Sequence, residues 1–285
     1  MSLAPWEITD VFAQEFMRNA FLAGTFIGAA CGLVGYFLVL RAQVFASDAL
    51  SHVAFAGALA AAAFGIDIRV GLFAATIVAG IGMGSLGDRA RADDVTIGTV
   101  FAWILGLGVL FLAIFTTSGS AANGTAAVRV LFGSIFGLSH TDALIAAGVS
   151  LAAIAATLAI ARPLLFASVD PEVAGARAVP VRLLGLVFLA ILGVVAAEAT
   201  QAVGALLLLG LVAAPAAAAH RLGRTPYEGM ALSTLLAVAC VWAGLGLSYV
   251  VTQLPPSTAI ISVATALYIL AAGATTLGQR LRPVR

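Results

Sequence analysis

The chain has 285 residues, of which 62% are apolar and 9% charged; its formal net charge is +1 and its mean hydropathy +1.12. Soluble domains carry about a quarter charged residues, and a soluble fold of this length could not hide so much apolar surface. Disordered, fibrous, disulfide-rich secreted and nucleic-acid-binding classes are excluded, and lipid is the implied solvent.

All fourteen basic residues are arginine. Without lysine the chain can form neither a Schiff base nor a P-loop that grips nucleotide phosphates. Cys31 and Cys240 lie inside apolar runs and read as small buried hydrophobes. The N-terminal stretch carries Glu7, Asp10 and Glu15 in place of a basic start and an apolar core, so no cleaved signal or lipidation motif is expected.

A spanning helix needs about 20 apolar residues. Polar punctuation divides the chain into eight or nine such segments, near 16–40, 49–66, 68–86, 95–116, 142–161, 183–198, 201–219, 229–251 and 259–279. Residues 1–285 therefore read as a single all-α, polytopic membrane domain. In the first span Gly24, Gly28 and Gly32 form a small-residue row, as Gly80 and Gly84 do in the third, and both rows read as helix-packing surfaces.

The second span opens with Ser47-Asp48-Ala49-Leu50-Ser51-His52. At i and i+4, Asp48 and His52 share a helix face. A carboxylate and an imidazole both ligate borderline divalent cations such as zinc or manganese. The competing reading is that Ser47 or Asp48 merely caps the helix. Two ligands do not close a site, so further ones would come from elsewhere.

The loop Gly87–Asp94 reads as a turn, with Asp93 or Asp94 capping the fourth span. Arg129–His140 is apolar but short, which suits a re-entrant or interfacial helix. In the loop Arg162–Arg182, Asp170 is a good N-cap, Pro171 a good first helical residue and Glu172 a favourable charge in the first turn. A helix of about two turns follows, through Gly175 and Arg177, and Pro180 ends it. It serves either as a solvated connector or as a docking helix for a soluble partner. Glu198 and Gln201 mark a turn or a break, where Gln201 either faces a pathway or lies in a polar surface loop. Pro215 should kink the seventh span. His140 and His220 fall near interfaces.

Arginine bias sets orientation. With nine spans and a cytoplasmic C-terminus, eleven of fourteen arginines fall inside, and only Arg18, Arg69 and Arg129 fall outside. The N-terminus is then extracytoplasmic.

Several runs, taken together, resemble the zinc/manganese/iron-type ABC importer permeases. They are Asn19–Gly24, Gly35-Tyr36-Phe37-Leu38-Val39-Leu40-Arg41, Asp48-Ala49-Leu50-Ser51-His52, Asp94–Gly98, Leu131–Ser134, Asp170-Pro171-Glu172 and Gln201–Leu207. Arg41-Ala42-Gln43 carries one basic residue where the family often has two. The resemblance implies a type II importer-like, homodimeric permease in a bacterial-type plasma membrane. Its partners would be a separate cytoplasmic ATPase dimer and an extracytoplasmic metal-binding protein. It implies no enzymatic activity, no resident cofactor, and a divalent cation as cargo, zinc ahead of manganese. By resemblance Asp48 and His52 lie in the translocation path, and the Asp170–Arg177 segment couples to the ATPase. A permease for a siderophore or corrinoid chelate, or an ion-coupled secondary transporter using Asp48 or Glu198, are the alternatives.

Overall fold

The computed structural model describes residues 14–86, 94–117, 133–205 and 208–280. Among these residues there are ten α-helices and no strand. In chain order they are α1 (Glu15–Leu40), α2 (Val44–Ala63), α3 (Ile68–Leu86), α4 (Asp94–Thr117), α5 (His140–Val169), α6 (Pro171–Ala176), α7 (Val181–Val203), α8 (Leu208–Leu222), α9 (Pro226–Val250) and α10 (Pro256–Arg280). Seven are long and apolar enough to cross a membrane, and Phe101–Thr117 and Leu208–Leu222 are shorter apolar stretches. The all-α, multi-pass architecture expected from composition is what the chain adopts.

Local sequence explains the helix ends. Ser139 and Asp142 form a reciprocal capping box at the start of α5. Thr225 caps α9 ahead of Pro226. At the end of α2, Gly65 takes φ +71°, its N–H bonds Ala62 O, and the Ile66 N–H bonds Ala61 O at 2.8 Å. This is the Schellman pattern, for which glycine is the natural residue. The α1 and α6 ends close the same way, but with Ala42 (φ +54°) and Ala178 (φ +60°) in the left-handed position.

Three expected boundaries move. The second helix starts at Val44, not near 49: Gln43 stands just outside it and its carbonyl accepts from Ala46 N–H at 2.9 Å. The break expected at Glu198–Gln201 lies later: α7 runs through both residues and stops at Gly204, whose φ of +97° ends the helix. The short apolar stretch before His140 gives only a 3-10 turn, Ile135–Gly137, too few residues for a helix once Gly133 (φ +71°) precedes it. Residues 87–93, 129–132 and the tail arginines Arg282 and Arg285 lie outside the described residues.

Hydrogen bonds define two ends of the bundle. At one, Arg41 reaches Ser168 and His220 meets the Tyr36 carbonyl. At the other, Arg69 pairs with Asp142 and Asn19 bonds the Leu138 carbonyl. The ring pairs His52–Phe101 and Phe64–Phe111 show that α2 and α4 run in the same direction. Buried Phe37, Leu38, Leu50, Phe188, Leu189 and Leu192 build the centre from α1, α2 and α7. Trp103, Leu158 and Leu270 point outward, as lipid-facing residues do.

The small-residue rows are packing surfaces. Gly24, Gly28 and Gly32 all face α9, and Gly80 and Gly84 face α7. A Cβ on Gly32 would lie 2.6 Å from the Ser233 carbonyl oxygen, and the Ser233 hydroxyl donates back to the Gly32 carbonyl. Gly32→Leu should therefore cost about 3 kcal/mol or more, since the obstructing atoms are backbone. Thermal unfolding in detergent checks this against Gly82→Leu, where nothing lies within 4 Å and little change is expected.

Candidate functional site

The α2 helix is mostly buried, with Ala46, Ser47, Ala49, Leu50, Ser51, Val53 and Ala54 all inside. Between Ala46 and Leu59, Asp48, His52 and Phe55 are the half-buried exceptions. Their spacing of four and three residues draws one stripe along the helix. Because α2 begins at Val44, Asp48 is not a cap; the first turn is closed by Ser47 donating to Val44 O at 2.8 Å. At 1.5 Å per residue Asp48 stands about 6 Å and His52 about 12 Å into the helix. The His52 ring meets Phe101 of α4 edge to face, 5.1 Å between centres. Among the described residues neither the Asp48 nor the His52 side chain has a hydrogen-bond or ion-pair partner. A carboxylate and an imidazole without polar partners among the described residues therefore sit on one half-buried face, within the membrane-spanning length.

Among the described residues no group of three or more His, Cys, Asp or Glu side chains could hold a metal ion. A closed coordination shell would need ligands from a second copy, from water or from the cargo's own carrier.

Gln201 is not in a surface loop. It occupies the last turn of α7, where its backbone carbonyl accepts from Ser134 N–H at 3.1 Å and its Oε1 accepts from Arg69 Nε at 3.2 Å. Its Nε2 is buried without a partner among the described residues. Glu198, one turn earlier, is 4% exposed, which overturns the expectation of an open polar loop for this pair as well. Arg69 also donates to Asp142 at 2.6 Å, joining α3 to α5 and α7. Sequence reading did not find this cluster. The Ser139-x-x-Asp142 spacing signals the capping box, but nothing local links it to an arginine 73 residues away.

At the opposite end α6 is confirmed as a short helix, one residue count under two turns. Asp170 Oδ1 accepts from Val173 N–H at 3.0 Å, and Pro171 fills the first position. Ala174 alone is buried, while Glu172, Val173, Gly175 and Arg177 face outward. The element is thus anchored by one small side chain and presents the rest. His140 and His220 have local partners: His140 Nδ1 lies 3.3 Å from Asn19 Oδ1, and His220 stacks on Tyr36 at 4.2 Å. Cys31 and Cys240 are buried free thiols, as their apolar settings implied.

The model of the ABC 3 transport family matches residues 13–274. The chain is 26% identical to the "Manganese transport system membrane protein MntC" of Halalkalibacterium halodurans, over 95% of this chain and 91% of that one. It is 28% identical to the "Chelated iron transport system membrane protein YfeD" of Yersinia pestis, over 82% and 77%. Its fold is similar to a solved structure described as "PsaBC from Streptococcus pneumoniae in complex with Fab". The TM-score is 0.79 and the identity 24%, with 93% of each chain covered. A match across nearly the whole length, joined to the multi-pass helical fold, places this chain in the ABC 3 transport family.

Proposed function

We propose that this chain is the membrane permease subunit of an ATP-driven importer of divalent metal ions, and that Asp48 and His52 hold the ion in transit. The observation that carries this reading is a carboxylate and an imidazole without polar partners among the described residues, on one half-buried stripe of a mostly buried helix. An intramembrane ionisable side chain is costly, and one left without a partner is a candidate for a ligand path. Two copies facing each other would supply two carboxylates and two imidazoles, enough for a four-coordinate ion or for a six-coordinate one with added water. The site must bind weakly enough to release, so an incomplete protomer site suits transport. The donor set admits zinc and manganese alike. The named relatives supply manganese as the cargo to test first, ahead of the zinc expected from sequence. A chelate would bring its own ligands and would not need Asp48 and His52; the iron-chelate relative makes it the second reading.

ATP hydrolysis belongs to a separate cytoplasmic subunit, because this chain has no lysine for a P-loop. The outward residues of α6, namely Glu172, Val173, Gly175 and Arg177 beyond the Asp170–Pro171 start, form the docking surface for that subunit. The arginine bias then puts the Arg41 end in the cytoplasm and the Arg69 end, with Gln201, at the extracytoplasmic face, where a binding protein delivers the cation. The working unit is a homodimer in the plasma membrane. Alternating access follows from ATP-dependent stabilisation of one of two packings.

Two measurements test this. In proteoliposomes holding the permease, its ATPase and its binding protein, Asp48→Asn and His52→Ala should each cut uptake of manganese and zinc by about tenfold or more, the effect of removing a ligand-sphere group. Unchanged uptake in both variants, with assembly intact, removes the ion-site reading, and uptake of chelated iron alone would favour the second. Val173→Glu on α6 should weaken ATPase association by at least about tenfold, the scale of losing one anchoring contact. Co-purification of the two subunits checks it, and full retention would remove α6 as the docking element.

A further inference from the structure

A guanidinium is costly to bury in a lipid-embedded bundle unless its donors and its face are occupied. Arg41, at the link between α1 and α2, is only 4% exposed. Its Nε donates to Gln43 Oε1 at 2.9 Å, and its Nη1 donates to Ser168 Oγ at 3.3 Å. Its Cζ lies 5.6 Å from the centre of the Phe188 ring, in cation–π range.

These partners belong to three separate pieces of chain. Gln43 immediately precedes α2, the helix of Asp48 and His52. Ser168 is in the last turn of α5, two residues before Asp170, the cap of α6. Phe188 is in α7, the helix that follows α6. One side chain therefore ties both helices flanking α6 to the start of α2.

The attachments are stiff. Ser168 Oγ donates its single proton to Leu164 O and accepts from Arg41. The α1–α2 link is closed by Gln43 N–H to Leu38 O at 3.0 Å and Ala42 N–H to Val39 O at 3.1 Å. Phe37, four residues before Arg41, packs edge-on against Phe188 at 6.2 Å. Packed elements of this kind move as units and do not deform continuously. Asp48 begins one helical turn beyond Val44, about 6 Å away.

We propose that Arg41 is a positioning residue of the transport cycle, transmitting displacement of α6 through α5 and α7 to the start of α2, and so to Asp48 and His52. This rests on the reading of α6 as the ATPase dock and α2 as the ion path. Lysine at this position keeps the charge but loses the planar fork that donates in two directions and stacks on Phe188.

The test uses the assembled complex of permease, ATPase and binding protein in proteoliposomes, with manganese as the probe. Arg41→Lys should lower manganese moved per ATP hydrolysed by about tenfold, within the range by which residues on a coupling route act. ATP hydrolysis and assembly should persist. Ser168→Ala removes one contact only and should lower the same ratio by about threefold. A second readout does not involve the cargo: spin labels at Phe45 and Val169, both exposed and outside the docking surface, report the nucleotide-driven change in distance between α2 and the end of α5 that carries α6. That change should be present in the native complex and largely lost in Arg41→Lys. Retention of both the native ratio and the native label movement in Arg41→Lys overturns the proposal. So does a parallel fall of transport and hydrolysis in proportion to lost assembly, which marks a merely structural role. If Asp48→Asn transports normally while Arg41→Lys still loses the label movement, the ion-site reading fails and the transmission through Arg41 stands.

Discussion

Lipid offers a peptide group no hydrogen-bond partner, and the rest of this structure depends on that constraint. Every long segment is helical because the helix satisfies its own backbone. Where the helix must stop, the freed groups are taken up locally: by Schellman turns after α1, α2 and α6, by the Ser139 and Thr225 caps, and by Ser134 N–H bonding the Gln201 carbonyl beside Gly204. Lipid also removes the hydrophobic drive that joins helices in water, so close approach has to come from small residues. The glycine row of α1 on α9 and the Gly80–Gly84 pair on α7 supply it.

Polar side chains are rationed by the same solvent. Most lie at the two ends of the bundle and are spent on holding it together. Arg69 gathers α3, α5 and α7 through Asp142 and Gln201. Arg41 gathers the α1–α2 link, α5 and α7 through Gln43, Ser168 and Phe188. The Asp48–His52 stripe differs in kind. It lies within the length of a spanning helix, and its donors are not spent on the protomer itself. A permease has reason to keep ligands in that state, because a side chain already committed to its own fold has nothing to offer a passing ion.

The two arginine clusters also separate tasks by position. The Arg41 cluster borders α6, whose exposed residues are available to a soluble partner. The Arg69 cluster lies at the other end, next to buried Glu198 and the Gly133–Gly204 contact. Between them α2 and α7 run side by side, so a change at one end has a packed route to the other. A rearrangement of such helices is a choice between packings.

Much of this was legible in the chain itself, and for local reasons. Apolar run length indicated eight or nine segments and their approximate limits, without settling between the two numbers. Asp170-Pro171 announced α6, because a cap and a first-turn proline act within four residues. The i, i+4 spacing placed Asp48 and His52 on one face before any fold was known. Other features were beyond the reach of sequence, because they are decided by contacts between distant segments. Whether Asp48 capped a helix or lay within one depended on where α2 began. Gln201 read as a break, although α7 continues to Gly204, because a polar pair looks the same in a loop as in a buried turn that meets Arg69. The Arg69–Asp142 and Arg41–Ser168 bonds span 73 and 127 residues, and no periodicity encodes such pairings. The sequence by itself determined a lipid-embedded helical chain with two potential ligands on one helix face, since hydropathy and helical spacing are local. Only the tertiary structure decided which polar groups are spent on the fold and which remain open, since that depends on what packs against each helix.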